Sequence, residues 1–271
     1  MSLGALVAVG RTAEVFAWGE GRVLKLFRPG WSMDVARHEL AVARAIHAAG
    51  VPSPRPDEAI EVAGRAGVVY ERISGLSLLA VLLGRPWRWS AEARTLGETH
   101  AVIHAASAPD LPPLGEALAR RITAAPYLLA ADRASALGAL ATLVGSSGAA
   151  ALCHGDYHPD NVLLAPPGPI VIDWENATIG DPVADVARTL LLLRSSEASI
   201  PSATGRVVRR ALVTLLIALY LRAYGRKRPL DRARLAAWEL PVTVARLSEG
   251  IVEERAYLLA RVRRLAARQR G

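Results

Sequence analysis

Lysine is almost missing from this chain. Of its 33 basic residues only two, Lys25 and Lys227, are lysines, so arginine carries nearly all the positive charge. Cysteine is scarcer still. Cys153 stands alone, which excludes an internal disulfide and fits a reducing cytoplasm. No apolar run approaches the roughly 20 residues of a bilayer span. The longest, "ALVTLLIALYL" from Ala211 to Leu221, is about half that length and lies between Arg210 and Arg222. No basic stretch followed by an apolar core opens the chain, so a secretion signal is not expected.

The composition that remains is that of a folded protein. Hydrophobic residues make up 52% and charged residues 21% of the 271 positions, which excludes disorder. That length is long for one core and comfortable for two lobes. The net charge of +8 is unevenly spread. Residues 1–185 hold 15 basic and 19 acidic side chains, whereas residues 186–271 hold 18 and 6. A basic C-terminal part raises nucleic acid, an acidic membrane or an anionic substrate as partners. Aromatic residues are not interleaved regularly with the arginines as a stacking platform requires, so nucleic acid is disfavoured and a solvated, arginine-rich helical surface is favoured.

Lys227 sits in "GRKRPL", an exposed turn, but Lys25 sits inside the apolar alternation "RVLKLF". A compact ammonium is not interchangeable with a planar guanidinium, so Lys25 is either a point-charge contact or a lysine on a strand's wet face. The segments "LGALVAV", "AEVFAW" and "RVLKLF" read as three antiparallel strands with tight turns. The first turn, Gly10-Arg11-Thr12, is a weak candidate for a phosphate cradle. "WSMDVARHELAVARAIHAAG" reads as a helix with Ser32 at its N-cap and Gly50 as its stop. Val35, Val42 and Ile46 form its inward stripe, and Glu39 falls on that stripe. A buried carboxylate needs a partner; either Lys25 supplies it, or Glu39 lies at the stripe's edge and reaches water. "AIEVAGRAGVVYERISG" gives two more strands.

From Leu76 the texture turns helical: "LSLLAVLLG", "AEARTLGETHAVIHAAS", "GEALARRITAAPYLLAAD" and "ASALGALATLVGS" each read as one helix. This predicts an α+β chain with a boundary near Ile73–Gly75. Residues 1–73 form the first domain and residues 74–271 the second. His100 and His104 are spaced as a helical metal pair. No glutamate follows His100 and no third ligand is near in sequence, so a metal is not expected there.

The densest chemistry lies in "CHGDYHPDNVLLAPPGPIVIDWENATIGDP", from Cys153 to Pro182. A loop, the strand "VLL", the turn "APPGP" and the strand "PIVI" make a hairpin. The loop before its first strand and the end of its second lie at one mouth, so Asp156, Asn161 and Asp173 are expected to converge. Their oxygens suit Mg²⁺, and Asp156 is left to deprotonate a hydroxyl. A base aspartate, an asparagine and an aspartate for metal, and a strand lysine paired with a helix glutamate form a phosphoryl-transfer layout.

Here the chain resembles the aminoglycoside phosphotransferase and choline kinase family, a branch of the protein-kinase-like fold. "HGDYHPDN" and "IVIDWENATIGDP" carry the likeness, supported by "GRTAEVF", "RVLKLF", Glu39, "VVYERISG" and "DPVADVARTL". The resemblance implies two lobes: a small antiparallel-sheet N-terminal lobe with one helix, and a larger, mostly helical C-terminal lobe. It implies that Asp156 is the catalytic base and that Asn161 and Asp173 hold Mg²⁺. Lys25, oriented by Glu39, would hold the α- and β-phosphates of ATP beside the Gly10-Arg11-Thr12 loop. Glu71 and Ile73 would offer their backbone to adenine. Asp185 would brace the catalytic loop, and His154 would be a structural histidine of that loop. The roles of His158, Asp160 and Glu175 stay open. The phosphate loop departs from many kinases in having Gly10 as its one glycine.

Three other functions are compatible with parts of this pattern. A protein kinase carries an activation segment, but seven residues separate Asp173 from Asp181. A dinuclear phosphoesterase needs further ligand clusters that six histidines do not supply. A non-catalytic nucleotide- or nucleic-acid-binding protein on the same scaffold would not need Lys25, Glu39, Asp156, Asn161 and Asp173 together. The acceptor is then a small molecule. Trp238, Tyr220, Tyr224 and Tyr257 are candidates for a choline cage, although their spacing is better explained as core. Glu239, Glu249, Glu253 and Glu254 are candidates for a polycation site.

Overall fold

In the computed structural model, residues 3–107, 110–146, 148–195 and 203–270 are described. The chain forms two compact units. The first comprises the chain up to Ala80 together with Asp160–Asn176, and the second comprises Val81–Pro159 and the chain from Ala177 onward.

The first unit is built on a five-stranded antiparallel sheet. Its strands are β1 (Leu6–Val9), β2 (Ala13–Ala17), β3 (Arg22–Phe27), β4 (Pro56–Val62) and β5 (Arg65–Glu71), in the order β1-β2-β3-β5-β4. β4 begins three residues before the expected Ala59. It runs along an edge, where a strand tolerates Pro56 and the register break between Pro56 and Ala59. Helix α1 (Met33–Ala48) crosses between β3 and β4, and its buried Ala36 and Leu40 pack with Ala13, Phe27, Ala66 and Val68 of the sheet. Ser32 occupies the N-cap but makes no capping bond, and Gly50 follows the C-cap Ala49. The unit is completed by β6 (Leu76–Ser77), β8 (Val162–Ala165) and β9 (Gly168–Val171), which pair antiparallel in the order β6-β8-β9. The Val171 N–H donates to Pro52 O at 2.7 Å, tying this hairpin to the loop after α1.

The second unit is mainly helical. Its elements are α3 (Trp89–Ile103), α4 (Leu114–Ala124), α5 (Ala130–Gly145), α6 (Pro182–Ser195), α7 (Ala203–Lys227), α8 (Arg232–Leu247) and α9 (Val252–Arg270). The short α2 (Leu78–Gly84) leads in from the first unit. A two-stranded sheet pairs β7 (Ala151–Cys153) with β10 (Thr178–Gly180). Helix α6 is buried along all but Arg194, so any charge it carries inward needs a partner.

One sequence expectation fails here. "GEALARRITAAPYLLAAD" is not one helix. Pro126 has no N–H and forces Ala125 out of the helical region, at ψ 124°. Tyr127 takes a positive φ of 64°. The carbonyls freed at Ile122, Thr123 and Ala125 accept bonds from the Arg133 guanidinium. Helix α5 then absorbs "AAD" and continues unbroken to Gly145. No helix among the described residues is long and apolar enough to cross a membrane.

Candidate active site

The hairpin β8–β9 sets one group of residues. Val162 pairs with Val171, and the Ile172 N–H donates to Asn161 O at 3.0 Å. Asn161 therefore precedes β8 directly where Asp173 follows β9. Asp173 holds a left-handed φ of 66°, a conformation costly for a non-glycine residue and concentrated at functional sites. Its Oδ1 accepts a bond from Lys25 Nζ at 2.8 Å.

Lys25 projects from the middle of β3, paired in register with Val15 and Val68. Its ammonium also donates to Glu39 Oε2 at 3.0 Å and lies 3.7 Å from Glu175 Oε2. The other oxygen of Glu39 accepts from the Tyr70 hydroxyl at 2.8 Å. Glu39 is thus a buried carboxylate with a partner on each oxygen, not one at the stripe's edge reaching water. Burial works against the Lys25 ammonium, but Asp173, then Glu39 and Glu175, outweigh it and hold the group well above the ordinary lysine range. Carboxylate and amide oxygens suit a hard divalent cation. Asn161 and Asp173, which flank the β8–β9 hairpin at its open end, offer one amide and one carboxylate of that kind.

The turn Gly10-Arg11-Thr12 connects β1 to β2. The Gly10 N–H donates to Ala13 O at 2.8 Å, so this amide is engaged inside the turn. Arg28 fixes the loop from behind: Nε donates to Arg11 O at 2.9 Å and Nη2 to Gly10 O at 3.0 Å. Glu71 ends β5, its side chain accepting from the Arg55 N–H at 2.7 Å. Arg72 donates its N–H to Gly21 O at 2.9 Å, and Ile73 follows, half-buried beyond the strand.

The second unit carries the other group. Strand β7 delivers His154, Gly155 and Asp156. Gly155 has a φ of 77°, which a side chain would resist. Asp185, on buried α6, accepts from the His154 N–H at 2.6 Å and the Gly155 N–H at 2.9 Å. The fully buried His154 accepts the Asp156 N–H on Nδ1 at 3.2 Å. Asp156 faces two arginines: Arg188 Nη2 lies 3.2 Å from Oδ1, and Arg246 Nη1 lies 4.0 Å from it. His158 Nε2 stands 3.7 Å from Oδ2. Burial pushes the Asp156 carboxyl up, but His158 and Arg188, with Arg246 behind, hold it well below the usual carboxylate range.

Arg188 and Arg246 were not singled out from the sequence. Arg188 also donates to Gly155 O at 3.2 Å and Glu249 Oε1 at 2.5 Å. Arg246 donates to Glu249 and, bidentately at 2.8 Å, to Glu254. A signal existed: Arg188 lies inside the apolar run "VADVARTLLLL", where an unpaired guanidinium would not be tolerated. The third ligand missing from the His100–His104 pair also appears. Asp185 joins both histidines, with one ligand atom of each residue within 4.8 Å of the others. Trp238, Tyr220 and Tyr224 are buried core residues.

These groups fit a family pattern. The profile described as "Phosphotransferase enzyme family" matches residues 5–238. The chain belongs to this phosphotransferase family. It is accordingly an enzyme of phosphoryl transfer, with a kinase-like fold. Solved structures agree on the fold. An aminoglycoside-3'-phosphotransferase of type VIII is 23% identical with a TM-score of 0.61, over 88% of this chain and 90% of that one. A choline/ethanolamine kinase family protein from Mesorhizobium loti is 20% identical with a TM-score of 0.62, over 97% and 87%. The amicoumacin kinase hAmiN, in complex with AMP-PNP, Ca²⁺ and Ami, is 16% identical with a TM-score of 0.60, over 97% and 88%. No curated protein matches this phosphotransferase in sequence.

Proposed function

We propose that this phosphotransferase transfers the γ-phosphoryl group of ATP to a hydroxyl group of a small molecule. The observation that carries the reading is Lys25: one of two lysines in the chain, in the middle of a strand, held between Glu39 and Asp173. An ammonium so fixed is a point charge for the α- and β-phosphates, with the Gly10-Arg11-Thr12 loop beside it and the backbone of Glu71 and Ile73 for adenine. A structural relative in complex with AMP-PNP and Ca²⁺ supports a nucleotide with a divalent cation.

Asn161 and Asp173 would hold Mg²⁺, which when bound neutralises phosphate charge. Asp156 accepts the proton of the acceptor hydroxyl as its oxygen bonds to the γ-phosphorus; the bridging P–O bond to the β-phosphate breaks and ADP leaves. His154 and Asp185 hold the loop that carries Asp156. Two acceptor classes lose support. Of the candidates for a choline cage, Trp238, Tyr220 and Tyr224 are in the core, which leaves the half-buried Tyr257. Glu239, Glu249 and Glu254 are each paired with arginine, so a polycation would compete with internal charges. Calorimetric titration of ATP with and without Mg²⁺ tests the reading. Mg²⁺ should tighten binding, and Asp173→Ala should remove that effect more completely than Asn161→Ala, because an amide carries no charge. Absence of ATP binding, or a metal effect untouched by Asp173→Ala, would contradict it.

A further inference from the structure

Two guanidinium groups, Arg188 of α6 and Arg246 of α8, stand beside Asp156 within the second unit. Their side chains are only 8% and 9% exposed. Part of their donor set braces the fold. Arg188 Nε holds Gly155 O at 3.2 Å. Glu254 takes Nε and Nη2 of Arg246, both at 2.8 Å. The donors that remain converge on one carboxylate. Arg188 Nη2 and Arg246 Nη1 each donate at 2.5 Å to Glu249, one to each of its oxygens. The same Arg188 nitrogen reaches Asp156 Oδ1 at 3.2 Å. Arg188 Nη1 donates to no atom of the described residues and is not sealed from water, so its N–H groups are open to an incoming molecule.

Glu249 is placed to yield. It lies outside the helices, in the link of residues 248–251 between α8 and α9, where Gly250 takes a φ of 68°. Its N–H donates to Arg246 O at 3.1 Å, so the backbone is tied and the side chain alone needs to turn. Two guanidiniums gripping the two oxygens of one group is the arrangement that carboxylates and phosphates match. An anion entering beside Asp156 could take the place of Glu249 without changing the local charge, because one carboxylate leaves as another acid group arrives. A cation would meet two guanidiniums there, and a neutral alcohol would leave Glu249 in place.

We propose that Arg188 and Arg246 form an anion seat in which Glu249 stands in for the acceptor, and that the acceptor is a small hydroxylated anion. Its carboxylate or phosphate group displaces Glu249 and sets its hydroxyl against Asp156. The inference deepens the reading of this chain as a small-molecule kinase and rests on it, and its test separates the two.

Glycerate, glycerol 3-phosphate, glycerol and 2-amino-1,3-propanediol share a three-carbon skeleton and differ in charge. Calorimetric titration of each into full-length, nucleotide-free protein reads the seat without catalysis and without a variant. At least one anion should bind about 10- to 100-fold more tightly than glycerol, as expected for hydrogen bonds to a charged group, and the amine should bind worst. The order of the two anions tells a carboxylate seat from a phosphate seat. With Mg·ATP, kcat/KM from ADP release should follow the same order. Arg246→Met should remove most of the preference. Glu249→Gln puts a weaker competitor in the seat and should tighten the favoured anion by about 3- to 10-fold, whereas a merely structural Glu249 would weaken every probe alike. Glycerol or the amine bound as tightly as both anions, no binding of either anion, or weaker anion binding in Glu249→Gln would overturn the proposal. If glycerol or the amine is phosphorylated fastest, the seat falls and the kinase reading stands. If the anions bind and weaken in Arg246→Met but Mg·ATP does not bind, the seat stands and the kinase reading falls. Where no probe is phosphorylated, the binding order decides the seat.

Discussion

Replacing Lys25 with methionine keeps the length of the side chain and removes its charge. The ammonium lies 2.8 Å from Asp173, 3.0 Å from Glu39 and 3.7 Å from Glu175. Two unit charges 3 Å apart attract by about 5 kcal/mol at an effective dielectric of about 20, most of it offset by desolvation. The net cost of the change is set by the carboxylates left behind. Asp173 is 37% exposed and Glu175 35%, so water recovers them and their share is small. Glu39 is 7% exposed and keeps only the Tyr70 hydroxyl. A loss of about 3 kcal/mol follows, the low end for breaking a buried pair. At about 2–4 °C per kcal/mol, Tm should fall by about 6–12 °C in calorimetry. Excess MgCl₂ without nucleotide should restore part of this in Lys25→Met and change the wild type little, because in the wild type the ammonium already neutralises the oxygens. A loss under about 1 kcal/mol, the range of an exposed pair, would refute the buried-pair reasoning.

Lys25→Arg should also be damaging despite its charge, by about 2–4 kcal/mol in kcat/KM for ATP, since a planar fork does not occupy the same point; Glu39→Gln should be partly redundant with it, and strictly additive effects would contradict their contact. Asp156, held low, contributes stability that is fully present above the unfolded carboxylate range of about 3.9 and is lost as pH falls through its lower folded value. Arg188→Met should raise the Asp156 pKa and move the acid limb of the kcat/KM profile upward, and an unmoved limb would contradict the role given to Arg188. A Cβ on Gly97 would lie 2.5 Å from Tyr220 O, so Gly97→Ala should cost about 1–3 kcal/mol by forcing α3 from α7, read as a lower urea midpoint; an unchanged midpoint would show that the helices part freely.

The legible features of the sequence were those that break a local pattern. A lysine in an arginine-rich chain, a glutamate on an apolar stripe and a run of aspartates around two short strands each asked for a partner, and the Lys25–Glu39 pair answers the first two. The hairpin register that sets Asn161 beside Asp173 followed from the strand lengths alone. What stayed hidden depends on residues far apart in sequence. Arg188 and Glu249, or His100 and Tyr220, meet only through helix packing, and no spacing rule connects them. The break between α4 and α5 was missed because the helical period runs through Pro126, whose missing N–H should have outweighed it.

Asp156 is proposed to take the proton of a hydroxyl acceptor during transfer from Mg·ATP. ³¹P NMR of wild type and Asp156→Asn, incubated with Mg·ATP and a panel of hydroxylated metabolites and antibiotics, tests it most directly. The wild type should give a phosphomonoester and ADP in equal amounts for at least one acceptor, and Asp156→Asn should be slower by about 10²–10⁴ with Mg·ATP affinity intact. Transfer by Asp156→Asn at the wild-type rate, or no phosphomonoester from any acceptor while Mg·ATP stays bound, would contradict it.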